Sequence, residues 1–376
     1  MTAIHCHTGG SATPVIDRYG RPLTNLRVMV TGRCNFSCFF CHMEGYQEQD
    51  IAQRELTLEE VELIVEAARR LGIRAFKVTG GEPTIRNDLA EIVSTMKSLS
   101  NTYVSITTNG SLLHNHLPRL AKADVDHINV SLHALSDRAF RAITGSSLLD
   151  RIINNLKMAR EYGIPIKINF VILKDINEDD ILKIIDFAAE IDASVQFIEL
   201  HPVGKAVKRF LEHHLPRWRV LEKLENRIVE IKYRIGLHNR PVLILDNGVK
   251  VEIVGPVGNF IFCAGCTRIR VTYDFKLIPC LNWKGNPIDV RSRLVGLESF
   301  EDKVEAVISA IKEANRLRSP STFYPIGSRL PMPRRRWTTA RLGLPKKDGS
   351  LRFTGSHAKE IARKVLGEWG DYSSLV

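Results

Sequence analysis

Between Leu26 and Glu199 the chain alternates strand-length runs rich in β-branched and aromatic residues with helix-length amphipathic segments. That alternation confines it to a parallel sheet flanked by helices. Strands are expected at Leu26–Val30, Ala75–Thr79, Tyr103–Thr107, His127–Ser131, Ile166–Val171 and Ser194–Ile198. In Leu58–Leu71, the residues Leu58, Val61, Ile64, Val65 and Ala68 recur at helical spacing behind a Thr57/Glu60 capping box, and a second helix is expected over Asp88–Leu99. Lys77 with Thr79, Asn129 with Ser131, and Lys167 with Asn169 each stand two apart, so each pair points to one face of its strand. The plain alternative sets them at solvated strand ends. A closed eight-stranded barrel fills its interior with bulky apolar layers. The expected fold is therefore α/β, an incomplete (β/α)6 TIM-type barrel with a wetted interior.

After Glu199 the pattern changes to a helix around Leu211–Ile228 and a hairpin over Leu243–Val254 turning at Asp246-Asn247-Gly248. A cysteine-bearing segment from Phe262 to Leu281 and a helix over Glu301–Leu317 follow. Beyond Pro320 the chain is rich in Pro, Gly and Arg until a short helical pattern near Ala358–Leu366. The first 20 residues show no apolar run between a basic start and a small-residue cleavage site, and nothing later reaches the length of a membrane span. A cytoplasmic location is expected, with no membrane partner.

In such a setting seven unevenly spaced cysteines argue for metal binding or thiol chemistry rather than a disulfide framework. Six fall into two groups of three. The formal net charge of +11 suggests an anionic partner without saying which.

Cys34, Cys38 and Cys41 stand as C-x3-C-x2-C in the loop after the first strand. Three thiolates can hold three irons of a four-iron cluster and leave the fourth open to a small molecule. A structural zinc site, with His42 as fourth ligand, is the competing reading. Gly80-Gly81-Glu82-Pro83 follows the second strand, where glycines would let backbone groups approach a ligand. With Phe40 before the last cysteine, this arrangement resembles the radical S-adenosylmethionine superfamily. The resemblance implies that the amino acid end of S-adenosylmethionine chelates the open iron, that Gly80, Gly81 and Glu82 bind its amino group, and that Thr107 and Ser131 add further cofactor contacts.

Cys263, Cys266 and Cys280 form C-x2-C-x13-C, and Ile269–Thr272 with Lys276–Ile278 reads as a hairpin that returns Cys280 to the other two. Zinc competes here too, although the immediate segment has no histidine. Arg268 and Arg270 stand two apart and project from the face that carries Cys266; such forks suit phosphate oxygens. An open iron beside a phosphate clamp predicts a nucleotide substrate.

These residues, with the entry Arg18-Tyr19-Gly20-Arg21-Pro22, resemble the GTP 3′,8-cyclase family of molybdenum cofactor biosynthesis over about Tyr19 to Pro320. The resemblance implies two [4Fe-4S] clusters, S-adenosylmethionine as cofactor and GTP as substrate, with Arg27, Lys77, Lys167, Arg268 and Arg270 contacting GTP. It also implies a ferredoxin or flavodoxin as reductant and a cyclic pyranopterin monophosphate synthase acting on the product. On this basis 1–20 is an arm, 21–205 the partial barrel, 206–320 a cluster-binding α+β extension closing it, and 321–376 a basic tail. Two departures stand out: Gln196 where many members have arginine, and an end at Ser373-Ser374-Leu375-Val376 in place of the family's terminal Gly-Gly.

The tail carries Arg329, Arg334, Arg335, Arg336, Arg341, Lys346 and Lys347 with no acid between the first and last. It reads as a solvated arm, with contact to RNA or an acidic protein, or substitution for Gly-Gly, as alternatives. Cys6, between His5 and His7, is expected to be a bystander near a frayed end. The rival functions are a two-cluster enzyme acting on a peptide or another nucleotide, and a zinc-stabilised basic RNA-binding protein.

Overall fold

Apolar and polar residues alternate along each strand, and the sheet is built on that alternation. Leu26 and Val28, Phe76 and Val78, Val104 and Ile106, Ile128 and Val130, Ile168 and Phe170, and Val195 and Phe197 are completely buried beneath the helices. The residues between them turn to the opposite, inner face. The computed structural model describes residues 14–43, 55–234, 236–256 and 259–320, and the backbone pairing of 353–354. His5, Cys6, His7, the basic residues from Arg329 to Lys347, the pattern near Ala358–Leu366 and the terminal Ser373–Val376 lie outside the described residues.

The repeat runs β1 (Asn25–Met29), α1 (Leu58–Arg70), β2 (Ala75–Thr79), α2 (Leu89–Lys97), β3 (Tyr103–Thr108), α3 (Leu117–Lys122), β4 (His127–Ser131), α4 (Asp137–Thr144), α5 (Leu149–Glu161), β5 (Ile166–Ile172), α6 (Ile181–Glu190) and β6 (Ser194–Glu199). Each of the six expected strands forms. The capping box of α1 is in place: Thr57 Oγ1 accepts from the Glu60 amide at 3.1 Å, and Glu60 Oε2 accepts from the Thr57 amide at 3.0 Å.

The second half contributes α7 (Phe210–His213), α8 (Trp218–Leu224), β7 (Ile228–Arg234), β8 (Arg240–Leu245), β9 (Lys250–Val254), α9 (Phe260–Ala264), β10 (Arg268–Val271), β11 (Lys276–Ile278), β12 (Ile288–Asp289) and α10 (Phe300–Arg316), with β13 at Phe353–Thr354. The single helix expected around Leu211–Ile228 does not form. It is split between α7 and α8, Pro216 lying between them, and Ile228 opens a strand instead. Proline offers no amide to the preceding turn and crowds it.

The sheet has thirteen strands in the order β12-β11-β10-β1-β2-β3-β4-β5-β6-β9-β8-β7-β13. β1 to β6 pair in parallel succession; β9 joins β6 in parallel and β10 joins β1 in parallel. The extension therefore widens both edges of an open, barrel-like sheet, and among the described residues its two ends do not pair with each other. The chain crosses from β9 at one edge to β10 at the other through residues 255–267, which carry Cys263 and Cys266. Phe353 pairs with Ile231, adding β13 to the free edge of β7. No helix among the described residues is long and apolar enough to cross a membrane.

Candidate functional site

The loop after β1 holds the first cysteine triad, and its aromatic residues anchor it. Phe36 meets Phe140 of α4 edge-on at 6.0 Å, and Phe40 meets His133 at 4.9 Å. The Ser37 amide donates to the Thr144 carbonyl at 3.0 Å, and the Lys205 amide donates to the Cys41 carbonyl at 2.9 Å. Burial, then the neighbouring thiols of Cys41 and Cys34, pushes Cys38 up to about 12. Burial also raises Cys34, to about 11, with the Glu82 carboxylate contributing.

Gly80 and Gly81 serve this loop directly. A Cβ on Gly80 would stand 2.7 Å from the Thr31 carbonyl oxygen, and one on Gly81 only 2.2 Å from that of Arg33. Both glycines also pack against the base of the cysteine loop, where the Gly81 amide donates to Thr31 O at 2.8 Å and the Glu82 amide to Arg33 O at 2.7 Å. Glu82 itself is wholly buried. Its carboxylate accepts from the Thr84 amide at 2.9 Å, the Thr108 hydroxyl at 2.6 Å and the Asn109 amide at 2.5 Å, so it ties the turn to the loop after β3. Asn109 Nδ2 continues the chain of contacts to Asn35 Oδ1 at 2.8 Å. Thr107 turns inward, and its buried hydroxyl has no protein partner.

The inner face of the sheet is cationic. Arg270, Arg27 and Lys77 stand in one register row across β10, β1 and β2. Lys167 lies in the row of Thr107 and Asn129, and Ser131 in the row of Asn169, Gln196 and Glu252. The five residues expected at a phosphate-bearing substrate are thus on one face. Three residues that sequence reasoning missed join them. Glu252 of β9 is ion-paired with Lys167, with Arg234 of β7 at 2.6 Å and with Arg240 of β8 at 3.1 Å. Only the pairing of β7 to β9 brings these together, and no local pattern announces it.

Burial pushes Lys77 well below its ordinary value, and the neighbouring Arg27, Arg268, Lys167 and Arg240 push it further. Burial likewise lowers Lys167 to about 8 against the pull of Glu252, and Arg268 to about 9. Burial disfavours a charged Glu252, yet Arg240, Lys167 and Arg234 hold its carboxyl well below the usual range. Two neutral groups share this face: the Tyr103 hydroxyl hydrogen-bonds His127 Nδ1, and burial lowers His127 to about 3.

The second triad lies where the chain crosses between the edges and at the end of β11. Two arginines clamp its backbone. Arg21 donates to the Cys263 carbonyl at 2.9 Å and to Ser319 O at 2.7 Å, while Arg318 donates to the Cys266 carbonyl. Asp17 joins them, 2.7 Å from Arg21 and 3.3 Å from Arg318. Burial opposes a charged Cys266, but Arg318 and Arg268 bring its thiol below the ordinary value. His238 stacks on Phe262 at 3.9 Å beside this loop. Among the described residues, no three His, Cys, Asp or Glu side chains converge as one metal ion needs.

Residues 28–188 match the Radical SAM superfamily, and residues 193–324 match Molybdenum Cofactor Synthesis C. A protein described as probable GTP 3′,8-cyclase from Saccharolobus islandicus is 42% identical over 317 residues, covering 83% of this chain and 100% of the relative. A protein so described from Sulfurisphaera tokodaii is 42% identical over 319 residues, covering 84% and 100%. Among solved structures, Streptococcus suis SuiB bound to S-adenosylmethionine shares the fold at a TM-score of 0.53 and 18% identity, covering 76% of this chain and 65% of that one. An anSMEcpe structure with bound AdoMet does so at a TM-score of 0.50 and 17% identity, covering 70% and 76%.

Proposed function

The chain belongs to the GTP 3′,8-cyclase family of radical S-adenosylmethionine enzymes, and from that premise we propose that it converts GTP to (8S)-3′,8-cyclo-7,8-dihydroguanosine 5′-triphosphate. The observation that carries the substrate is the inner face, where Arg27, Lys77, Arg268 and Arg270 stand on β10, β1 and β2 and Lys167, Arg234 and Arg240 share the buried carboxylate of Glu252. A wall of neighbouring cations facing one interior suits a polyanion, and a nucleoside triphosphate supplies one.

Two four-iron clusters suit the two cysteine triads, Cys34, Cys38 and Cys41 holding the first and Cys263, Cys266 and Cys280 the second. When bound, the first cluster with S-adenosylmethionine supplies a carbon-centred radical able to take the ribose C3′ hydrogen so that C3′ joins guanine C8. The residues of the chain do the rest. The turn at Gly80 and Gly81 fixes the first cysteine loop, Glu82 locks that turn to the loop after β3, and Thr107 and Ser131 face the cofactor from the inner wall. The cationic wall orients the triphosphate, with Arg268 and Arg270 reaching it from the strand that follows Cys266. The extension lines the same interior and limits entry of water. A ferredoxin or flavodoxin fits as reductant, and a cyclic pyranopterin monophosphate synthase as the enzyme that takes the product.

The test is an anaerobic reaction of cluster-loaded protein with a low-potential reductant, S-adenosylmethionine and GTP, with products identified by mass spectrometry and NMR. The expected result is 5′-deoxyadenosine with a cyclised guanosine triphosphate. Consumption of a peptide or ATP in place of GTP would overturn the assignment.

A further inference from the structure

The cations of the inner face come from two sources. Arg27, Lys77, Arg268 and Arg270 stand on β1, β2 and β10, on one side of the sheet; Arg234 and Arg240 stand on β7 and β8, strands outside the βα repeat. Resting on the cyclase reading, we propose that Arg240 is a phosphate-binding residue of the GTP site, held in place by Glu252 and Gln196.

Its position is built rather than incidental. The side chain is 11% exposed, and its Nη1 stands 3.1 Å from Glu252 Oε2. The same nitrogen donates to Gln196 Oε1 at 2.6 Å, and Nε donates to the Leu237 carbonyl at 3.2 Å. Gln196 is fixed in turn by donating to Asn169 Oδ1 at 3.1 Å. Among the described residues Nη2 donates to no protein atom, leaving one edge of the fork for an oxygen acceptor.

Charge points the same way. Glu252 faces Lys167, Arg234 and Arg240 at once, and one carboxylate offsets only one of three cations. The field of Arg240 reaches Lys77 and Arg268, so it belongs to the electrostatic chamber they form. A buried, over-cationic wall of this kind stands ready for several anionic oxygens at neighbouring points, the arrangement a triphosphate chain presents. A carboxylate already gripping three cations also keeps them extended and ordered, so less side-chain entropy is lost when phosphate binds.

Equilibrium dialysis of anaerobic, cluster-loaded protein against GTP and against guanosine reads this directly. Arg240→Gln is expected to weaken GTP binding about 10- to 100-fold, to change guanosine binding less than about twofold, and to leave uncoupled S-adenosylmethionine cleavage intact. Arg240→Lys, which keeps the charge without the fork, should fall between, and it carries the test should the glutamine variant fold poorly by its thermal melt. If Arg240 served only to neutralise Glu252, the double variant Arg240→Gln/Glu252→Gln would recover GTP binding; persistence of the defect supports a ligand role, and recovery overturns it. Parallel weakening of GTP and guanosine overturns it as well. Wild-type protein that ignores GTP would sink the cyclase reading itself, a different failure from wild-type binding that survives Arg240→Gln.

Discussion

The two cysteine triads have the same composition and different surroundings, although burial raises Cys280 of the second as it raises Cys34 and Cys38 of the first. The first is set among aromatic rings and amides, with the Glu82 carboxylate near Cys34 and Lys205 near Cys38, and burial drives both of these thiols upward. The second is clamped by Arg21 and Arg318 and overlooked by Arg268, which bring the Cys266 thiol down. On the proposed function, three thiolates between one carboxylate and one ammonium would leave an open metal site suited to a zwitterionic cofactor. Three thiolates at the rim of a cationic chamber would, on the same reading, put such a site beside an anionic substrate. That difference in electrostatics, rather than in ligand set, is what the proposed division of labour rests on, one triad making a radical and the other holding what it attacks.

The largest effect should come from removing the triads one at a time. Cys38→Ala and Cys280→Ala should each lower bound iron from about eight to about four per chain. Only the first should abolish S-adenosylmethionine cleavage, by about a thousandfold or more in rate, whereas the second should lose GTP conversion and keep uncoupled cleavage. Equal loss of cleavage in both would break the comparison. Gly81→Ala comes next, because its Cβ would collide with the Arg33 carbonyl at 2.2 Å. It should cost about 3 kcal/mol of stability and deplete the first cluster selectively, as read by electron paramagnetic resonance of the remaining one.

Arg318→Met tests the other side. It removes the donor to the Cys266 carbonyl and one of the two arginine partners of buried Asp17, and should destabilise the fold by about 2 kcal/mol. The spectrum of the second cluster should change and that of the first should not; a change confined to the first would reverse the assignment. The smallest effect concerns pH. Burial sets Lys167 near 8, among Glu252, Arg234 and Arg240, with Lys77 and His127 also facing this part of the interior. Its positive charge is lost as pH rises through about 8, so GTP affinity should fall, by up to roughly tenfold between pH 7 and 9, and Lys167→Arg should flatten the profile. Stability runs the other way: a lysine depressed from 10.5 costs the fold most below its folded value, and that cost is relieved as pH rises from about 8 toward 10.5.

The six repeat strands were legible because alternation is a local signal, and Arg27, Lys77 and Lys167 were legible as inward residues for that reason. The roles of Gly80 and Gly81 were half legible. Their need for close approach can be read from residue type, but the partner, the backbone of Thr31 and Arg33, depends on how two loops meet. Glu252, Arg234 and Arg240 were not legible as a group. Glu252 reads as one acid in a short strand, and its meaning depends on β9 lying beside β6 and on β7 following at the outer edge. The helix expected around Leu211–Ile228 is interrupted because Pro216 has no amide to continue the turn, whatever the apolar periodicity on either side.

The parallel docking of β10 on β1 also has a consequence during synthesis. Asn25 and Arg268, paired neighbours in the finished sheet, leave the ribosome about 240 residues apart. At 5–20 residues per second, roughly 10 to 50 s pass with the outer edge of β1 lacking its native partner. An unpaired edge of that kind recruits strands from other chains. The protein should therefore be most vulnerable to aggregation while it is being translated, and slowed elongation through the second half should lower its soluble yield well before it affects the folded enzyme.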